Sequence, residues 1–325
     1  MAPKPLPLID STAWEHPADR AALNAMRALP GFDTVVRQIA GFFGETGVRQ
    51  LFLANAVRVG PNQRPKLDAL YTEVLTTLDW PTRPQLYVTQ TPLVNAAAYG
   101  FKDPFIVLNS GAIELLDREE QRGILAHELG HIMSGHVTYS TIAIIIMTVG
   151  LRSLPFLAGL ALLPFELALL EWFRKAELSA DRAALLGVQD PRVAYGKFLK
   201  MSGGAAHGDT IDIDAFMAQA AEYQTEGTLA EKIWRVLNTA FRDHPFGTVR
   251  AAELQRWVAS GAYQAIVDGT YARRGDPKPP IQDDFAAASG YYGDKAKDVM
   301  DEVAGAVTRA RDAFSQAFRR GPDGS

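Results

Sequence analysis

The chain contains no cysteine. It has neither a disulfide framework nor thiolate ligands, so any bound metal must be held by nitrogen and oxygen donors. It also lacks a basic excess, because 33 lysines and arginines stand against 37 aspartates and glutamates. Nucleic-acid-binding proteins normally carry a basic face, so this balance argues against a nucleic-acid partner.

The start of the chain lacks the apolar segment of a secretory signal, and its first seven residues include three prolines. We therefore expect a cytoplasmic location, either soluble or attached to the cytoplasmic face of a membrane. With 325 residues, the chain is long enough for a large core with appendages. The sequence indicates no particular oligomeric state.

The most informative pattern is His127-Glu-Leu-Gly-His131, which matches H-E-x-x-H. Residues four apart in a helix lie on one face, so both imidazoles can point at one metal ion. Asp117 and Glu120 are spaced as a capping box, which predicts a helix that begins at Arg118 and contains the motif about three turns further on. Hydrolytic zinc sites keep one position for water, and Glu128 is placed to accept the proton of that water.

Two histidines supply two ligands, so a third ligand is expected on a downstream element. The best candidate is Glu177, which lies in a second stretch of helical pattern. Asp181 follows four residues later on the same face, where it can accept the second ring N–H of a ligating histidine. The alternative is that Glu177 is a solvated carboxylate paired with Arg174 or Lys175.

These motifs resemble the HtpX and CAAX-prenyl-protease-like zinc metallopeptidases of peptidase family 48. The resemblance covers about residues 85–255, and it also includes the segments 95–100 and 104–111 and His244-Pro245. It implies a gluzincin, an endopeptidase that binds one Zn²⁺ per chain. By this resemblance the metal ligands are His127, His131 and Glu177, and Glu128 is the general base.

The same resemblance assigns further residues around the metal. His244 is a candidate to stabilise the tetrahedral oxyanion. Arg250 would anchor the loop that carries His244 through a carboxylate, with a surface arginine as the alternative. The substrate is expected along Asn95, Ala96 and Ala97. The chain departs from the family at Ala97, where an aromatic is frequent, and at Asp243, where a small hydroxyl residue is frequent, and both departures bear on substrate preference.

The patterning predicts a mostly helical α+β fold with a zincin-like core. A small β-sheet should precede the H-E-x-x-H helix, and a long apolar helical hairpin should lie between the metal motifs. Helical patterns occur near 18–29, 31–43 and 64–79, and strand patterns occur at 86–90, 95–100 and 105–109. The predicted regions are a helical N-terminal part (1–84), the peptidase core (85–270), a linker (271–293) and an amphipathic helix (294–320).

The apolar hairpin at 137–170 contains only Arg152 and Glu166 as charged residues. Both arms fall short of the roughly 20 apolar residues that span a bilayer. We therefore expect the hairpin to be covered by the protein's own helices from 191 to 262, with membrane contact through 137–170 as the alternative. The C-terminal helix is expected to dock on the same chain rather than on a membrane or partner.

The sequence as a whole predicts a zinc-dependent metalloendopeptidase that hydrolyses internal bonds of polypeptide substrates. One alternative is a membrane-associated quality-control protease that acts on membrane proteins. A second is a non-catalytic, zinc-stabilised scaffold, although such a site would not need Glu128. A dedicated CAAX-processing enzyme would need an enclosed membrane chamber. No role is assigned to His16, His136 or His207.

Overall fold

The computed structural model describes residues 2–29, 31–149, 163–204, 210–225 and 246–277. Over these residues the protein is mostly helical with one small sheet, which confirms the predicted α+β class. The helices are α1 (Pro17–Arg27), α2 (Phe32–Leu53), α3 (Pro65–Thr77), α4 (Ser110–Leu115), α5 (Arg118–Met133), α6 (Val137–Val149), α7 (Leu163–Val188), α8 (Pro191–Gly203), α9 (Ile213–Thr225), α10 (Gly247–Ala259) and α11 (Ala262–Val267).

The sheet has four strands in the order β1-β2-β4-β3. The predicted hairpin is confirmed, because β3 and β4 pair antiparallel, whereas β2 runs parallel to β4. Strand β1 was not predicted from the sequence, because it has only three residues and they are too exposed to show a strand pattern. The strand bounds are β1 (Ala56–Arg58), β2 (Gln85–Thr89), β3 (Ala96–Tyr99) and β4 (Phe105–Asn109).

Helix α5 begins at the predicted capping box. The Asp117 carboxylate accepts from the backbone N–H groups of Glu119 and Glu120, and Glu120 accepts in return from the Asp117 N–H. Each terminal N–H that gains a partner removes an unsatisfied donor from the helix end. The H-E-x-x-H motif is thereby carried on a well-anchored helix.

The predicted first arm of the apolar hairpin is wrong in one respect. Its helix does not continue the H-E-x-x-H helix, because α5 ends at Met133 and α6 leaves it at 102°. Gly135 makes this turn with φ of 69°, a left-handed conformation that glycine adopts without steric cost. The turn returns the chain towards the metal-binding face of α5 instead of leading it away.

Helices α5 and α7 pack at unusually close range. A Cβ added to Gly130 would lie 2.5 Å from the Ala183 Cβ, and one added to Gly187 would lie 2.3 Å from the Ala126 Cβ. The missing side chains let the two backbones approach directly. This contact positions the two predicted metal motifs against each other.

The expected cover of the apolar hairpin also needs correction. Most of its described buried side chains belong to a cluster completed by α1, α2 and one face of the sheet, and only Val137 joins the cluster that includes described helices after 191. The sheet explains the difference, because Tyr87, Phe105 and Val107 present an apolar face on this side. Residues 150–162 of the hairpin lie outside the described residues.

Among the described helices, no single one has both the length and the apolar character to cross a membrane. Only α5 together with the start of α6 meets that test, as a pair bent at their junction.

The predicted linker is partly packed against the N-terminal arm. Ile9 forms an antiparallel bridge with Arg273, and Arg274 pairs with Asp79 at 2.8 Å. These contacts hold residues 271–274 against the rest of the described chain, and the linker assignment for 271–293 stays a prediction. The helix predicted at 294–320 lies outside the described residues.

Candidate metal centre

The two motif histidines and the predicted third ligand meet in the protein interior. His127 and His131 project from one face of α5, with ring centroids 4.9 Å apart. Glu177 projects from α7 between them: its Oε2 lies 3.5 Å from Nε2 of His127, and its Oε1 lies 3.2 Å from Nε2 of His131. All three side chains are buried. Two nitrogen donors and one oxygen donor thus converge from two helices.

The spacing of these donors fits a single metal ion. One ligand atom from each residue can be chosen so that all three lie within 4.8 Å of one another. Two atoms bound tetrahedrally at about 2.0–2.1 Å from zinc lie roughly 3.3 Å apart, close to the separations found here. The donor set therefore needs little adjustment to hold such an ion.

Asp181 and Arg250 surround the first histidine and the glutamate. Oδ1 of Asp181 lies 3.2 Å from Nδ1 of His127. Arg250 donates to both Asp181 oxygens, at 2.6 and 2.7 Å, and its Nη1 lies 3.0 Å from Oε2 of Glu177. A bidentate arginine fixes the carboxylate plane. Arg250 is thus a buried anchor between α10 and α7, not a surface arginine.

Burial and the buried charges oppose each other in setting the pKa values of this cluster. Burial alone would raise the pKa of Asp181, but Arg250 and Lys197 outweigh it and hold that pKa well below its usual range. Burial lowers the pKa of His131 to about 4, which keeps its ring neutral, as a metal ligand must be. For His127, the nearby Glu177 and Asp181 carboxylates overcome burial and raise the pKa.

Two contacts of this site were missed by the sequence analysis. Lys197 of α8 is buried, with Nζ 3.6 Å from Oδ1 of Asp181. His136, which was given no role, lies 3.1 Å from His131 and 3.0 Å from Asp19. The turn at Gly135 brings His136 back to the motif. Helical spacing could not predict this contact, because it assumes that the helix continues through residue 136.

Two of the three candidate metal ligands, His127 and Glu177, line a cavity of about 230 Å³. Glu128 also lines it, next to the ligands, and its charge adds to burial in raising the pKa of nearby Tyr99 to about 12. Other walls come from Asn95 and Ala96, two of the predicted substrate-binding residues. The cavity therefore joins two of the three donors, a further carboxylate and the start of β3.

The remaining predicted site residues are Ala97 and His244. Ala97 does not line this cavity but a neighbouring one of about 290 Å³, which also borders Asn95 and Ala96. His244, the predicted oxyanion residue, lies outside the described residues, so its assignment remains a prediction.

This combination of donors and an adjoining carboxylate in an accessible cavity is that of a metal-dependent peptidase. The profile of Peptidase family M48 matches residues 61–258, more than half of the chain. The chain therefore belongs to peptidase family M48 and is a metalloprotease.

Similar proteins occur in a plant and in bacteria. The plastoglobule-localized metallopeptidase 48 of the Arabidopsis thaliana chloroplast is 33% identical over 84% of this chain and 79% of its own length. A Protease HtpX homolog of Helicobacter pylori (strain Shi470) is 27% identical over 53% of this chain. The match spans 63% of that HtpX homolog, which is less than two thirds of its length. No solved structure matches the chain.

The geometry predicts which carboxylate of α7 holds the metal. Glu177→Ala should lower metal affinity by more than the roughly 10–100-fold typical of losing an outer partner, because it removes one of three direct donors. Glu171→Ala is the matched control on the same helix, since Glu171 pairs with Arg174 and Lys175 instead. Elemental analysis of bound metal per chain would measure both.

Equal metal content in the Glu177→Ala and unaltered proteins would contradict the ligand assignment. It would direct the search for the third donor to Asp181.

Proposed function

We propose that the protein is a zinc-dependent endopeptidase that hydrolyses internal peptide bonds of polypeptides. The observation that carries the proposal is the convergence of His127, His131 and Glu177 beside a cavity that His127, Glu177 and Glu128 line. A set of nitrogen and oxygen donors without cysteine suits zinc, which takes tetrahedral coordination with such ligands. When bound, the zinc ion would polarise the scissile carbonyl and lower the pKa of an attacking water.

The open side of the centre supports catalysis rather than a structural role. Structural zinc sites are closed by four protein ligands. Among the described residues, the group that could hold a metal has three members, and the cavity reaches two of them. These observations disfavour the scaffold alternative.

Glu128 is the residue that we assign to proton transfer. It is 4% exposed, adjoins His127 on α5 and lines the cavity, so it can reach a water beside the metal ligands without being a ligand itself. Its carboxylate would take the proton of the attacking water and deliver it to the departing amine. Arg250 contacts both Glu177 and Asp181, and with Lys197 it outweighs burial and holds the pKa of Asp181 well below its usual range.

The edge of the sheet supports binding of an extended polypeptide. The Asn109 N–H donates to the Asn95 carbonyl, so residue 95, and by antiparallel alternation residue 97, direct their backbone groups towards β4. The N–H and C=O groups of Ala96 and Ala98 consequently face the outer edge of β3. A substrate strand added there would be held by its backbone, largely independently of its side chains.

The apolar segment supports a role as core rather than as anchor. Ile142, Ala143 and Ile146 of α6 are buried, and so are Trp172 and Phe173 of α7. These side chains pack against α1, α2 and the sheet. We therefore retain the cytoplasm as the proposed compartment, with attachment to a membrane surface and membrane-protein substrates as the alternative.

The central chemical prediction concerns Glu128→Gln. The amide keeps the shape of the side chain but cannot take a proton, so kcat should fall by about 10²–10⁴-fold while bound zinc is unchanged. Hydrolysis of a casein-type substrate, together with zinc analysis, measures both quantities. Glu119→Gln in the first turn of the same helix is the control and should retain activity. Full activity in purified Glu128→Gln protein would refute the general-base assignment.

Membrane fractionation tests the packing of the apolar segment. Because the described faces of α6 and α7 are already buried, we expect the full chain to remain in the supernatant after cell lysis and ultracentrifugation without detergent. The same chain with an added 20-residue polyleucine helix is the control for membrane retention. Retention of the unmodified chain in a carbonate-washed pellet would instead favour the membrane-attached alternative.

A further inference from the structure

A line of buried polar groups leads away from His131 on the side of its ring opposite Glu177. Nδ1 of His131 lies 3.1 Å from Nδ1 of His136, and Nε2 of His136 lies 3.0 Å from Oδ2 of Asp19. All three side chains are at most 5% exposed. The line therefore connects a metal ligand on α5 to a carboxylate on α1 entirely within the protein.

The carboxylate at the end of the line fixes the direction of its hydrogen bonds. An ionised carboxylate only accepts, and Asp19 also accepts from Ser179 Oγ at 2.5 Å and from Trp172 Nε1 at 3.0 Å. Nε2 of His136 must therefore carry the hydrogen that points at Asp19. When its ring is neutral, His136 has one N–H, so its Nδ1 is an acceptor. Burial lowers the pKa of His136 but the Asp19 carboxylate outweighs burial and raises it, so this neutral form is populated above that raised pKa.

The same reasoning continues to the metal ligand. Because His136 accepts at Nδ1, His131 must donate from its own Nδ1, and its Nε2 then keeps a free lone pair. That Nε2 is the atom that lies 3.2 Å from Glu177, on the side of the proposed metal. The opposite tautomer would place a hydrogen where the metal must bind.

We infer that His136 and Asp19 are positioning residues that hold His131 in the tautomer and orientation needed to bind the metal through Nε2. The inference rests on the proposed metal centre and deepens it. Oδ1 of Asp181 lies 3.2 Å from Nδ1 of His127, so a carboxylate of α7 stands beside the first ligand as the His136–Asp19 pair stands beside the second.

The position of Asp19 in the chain adds helix α1 to the metal centre. Asp19 lies in α1, before the region 61–258 that matches the family. A role confined to joining α1 to α7 would already be met by the contacts of Asp19 with Trp172 and Ser179. It would not require His136 to stand between Asp19 and a metal ligand. The N-terminal helix is therefore part of the metal centre and not only a cover for the core.

The first experiment measures how fast zinc leaves the protein. His136→Phe keeps a planar ring but removes both nitrogens, so zinc release to a chelator should accelerate by about 10–100-fold, as for other outer partners of metal ligands. His136→Asn can still accept from Nδ1 of His131 and should recover part of the loss. Thr141→Val is the control, because the buried Thr141 hydroxyl exchanges hydrogen bonds with the backbone N–H and C=O of Gly100 and not with a metal ligand.

If the substitutions acted only by destabilising the fold, zinc release from all three variants would accelerate in proportion to the fall in their unfolding midpoints. The inference instead requires fast zinc release in His136→Phe, slower release in His136→Asn and an unchanged rate in Thr141→Val. A release rate in folded His136→Phe within twofold of the unaltered protein would overturn it.

A second measurement uses the unaltered chain and does not depend on any variant folding. At a pH above the raised pKa of His136, nitrogen NMR of ¹⁵N-histidine-labelled protein should show His131 protonated at Nδ1 and His136 protonated at Nε2, with and without zinc. Protonation of His136 at Nδ1 in its neutral form would overturn the inference. If the unaltered chain bound no zinc, the proposed function would fail, whereas the tautomers of the metal-free protein would still test the positioning role.

Discussion

The close contact between α5 and α7 is the constraint on which the rest of the site depends. Gly130 and Gly187 leave no side chain between the helices, so Ala183 and Ala126 meet backbone directly. Since side-chain reach is fixed, only a short distance between the helices lets Glu177 meet ligand atoms on α5. A wider spacing would leave the histidines and the glutamate on separate helices without a shared metal position. The capping box at the start of α5 supports the same contact by fixing that helix.

Close packing of charged side chains requires compensation. Glu128, Glu177 and Asp181 are buried together, and burial of an unpaired carboxylate costs several kcal/mol. Arg250 and Lys197 offset two of these three negative charges. The remaining negative charge favours a bound cation. The site is therefore rigid and carries an excess negative charge that favours a bound metal. A purely structural ion-pair network would balance its own charges.

Local sequence signals were sufficient for the elements that carry the chemistry. The capping box and helical spacing predicted α5, and the spacing of Glu177 from Asp181 predicted one shared face of α7. The fold around them depends on contacts between distant residues, which no local pattern encodes. Asp19 and His136 are 117 positions apart and meet only because α1 packs on α7 and the chain turns at Gly135. The cover of the apolar hairpin by N-terminal helices was hidden for the same reason.

The central claim is that one zinc ion bound by His127, His131 and Glu177 makes the protein a peptidase. It is tested most directly by titrating the metal-free full chain with zinc while following hydrolysis of a polypeptide substrate. The account predicts negligible activity without metal, a linear rise with added zinc and a plateau at one equivalent per chain. Full hydrolysis by the metal-free chain, or no hydrolysis at one equivalent of bound zinc, would contradict it.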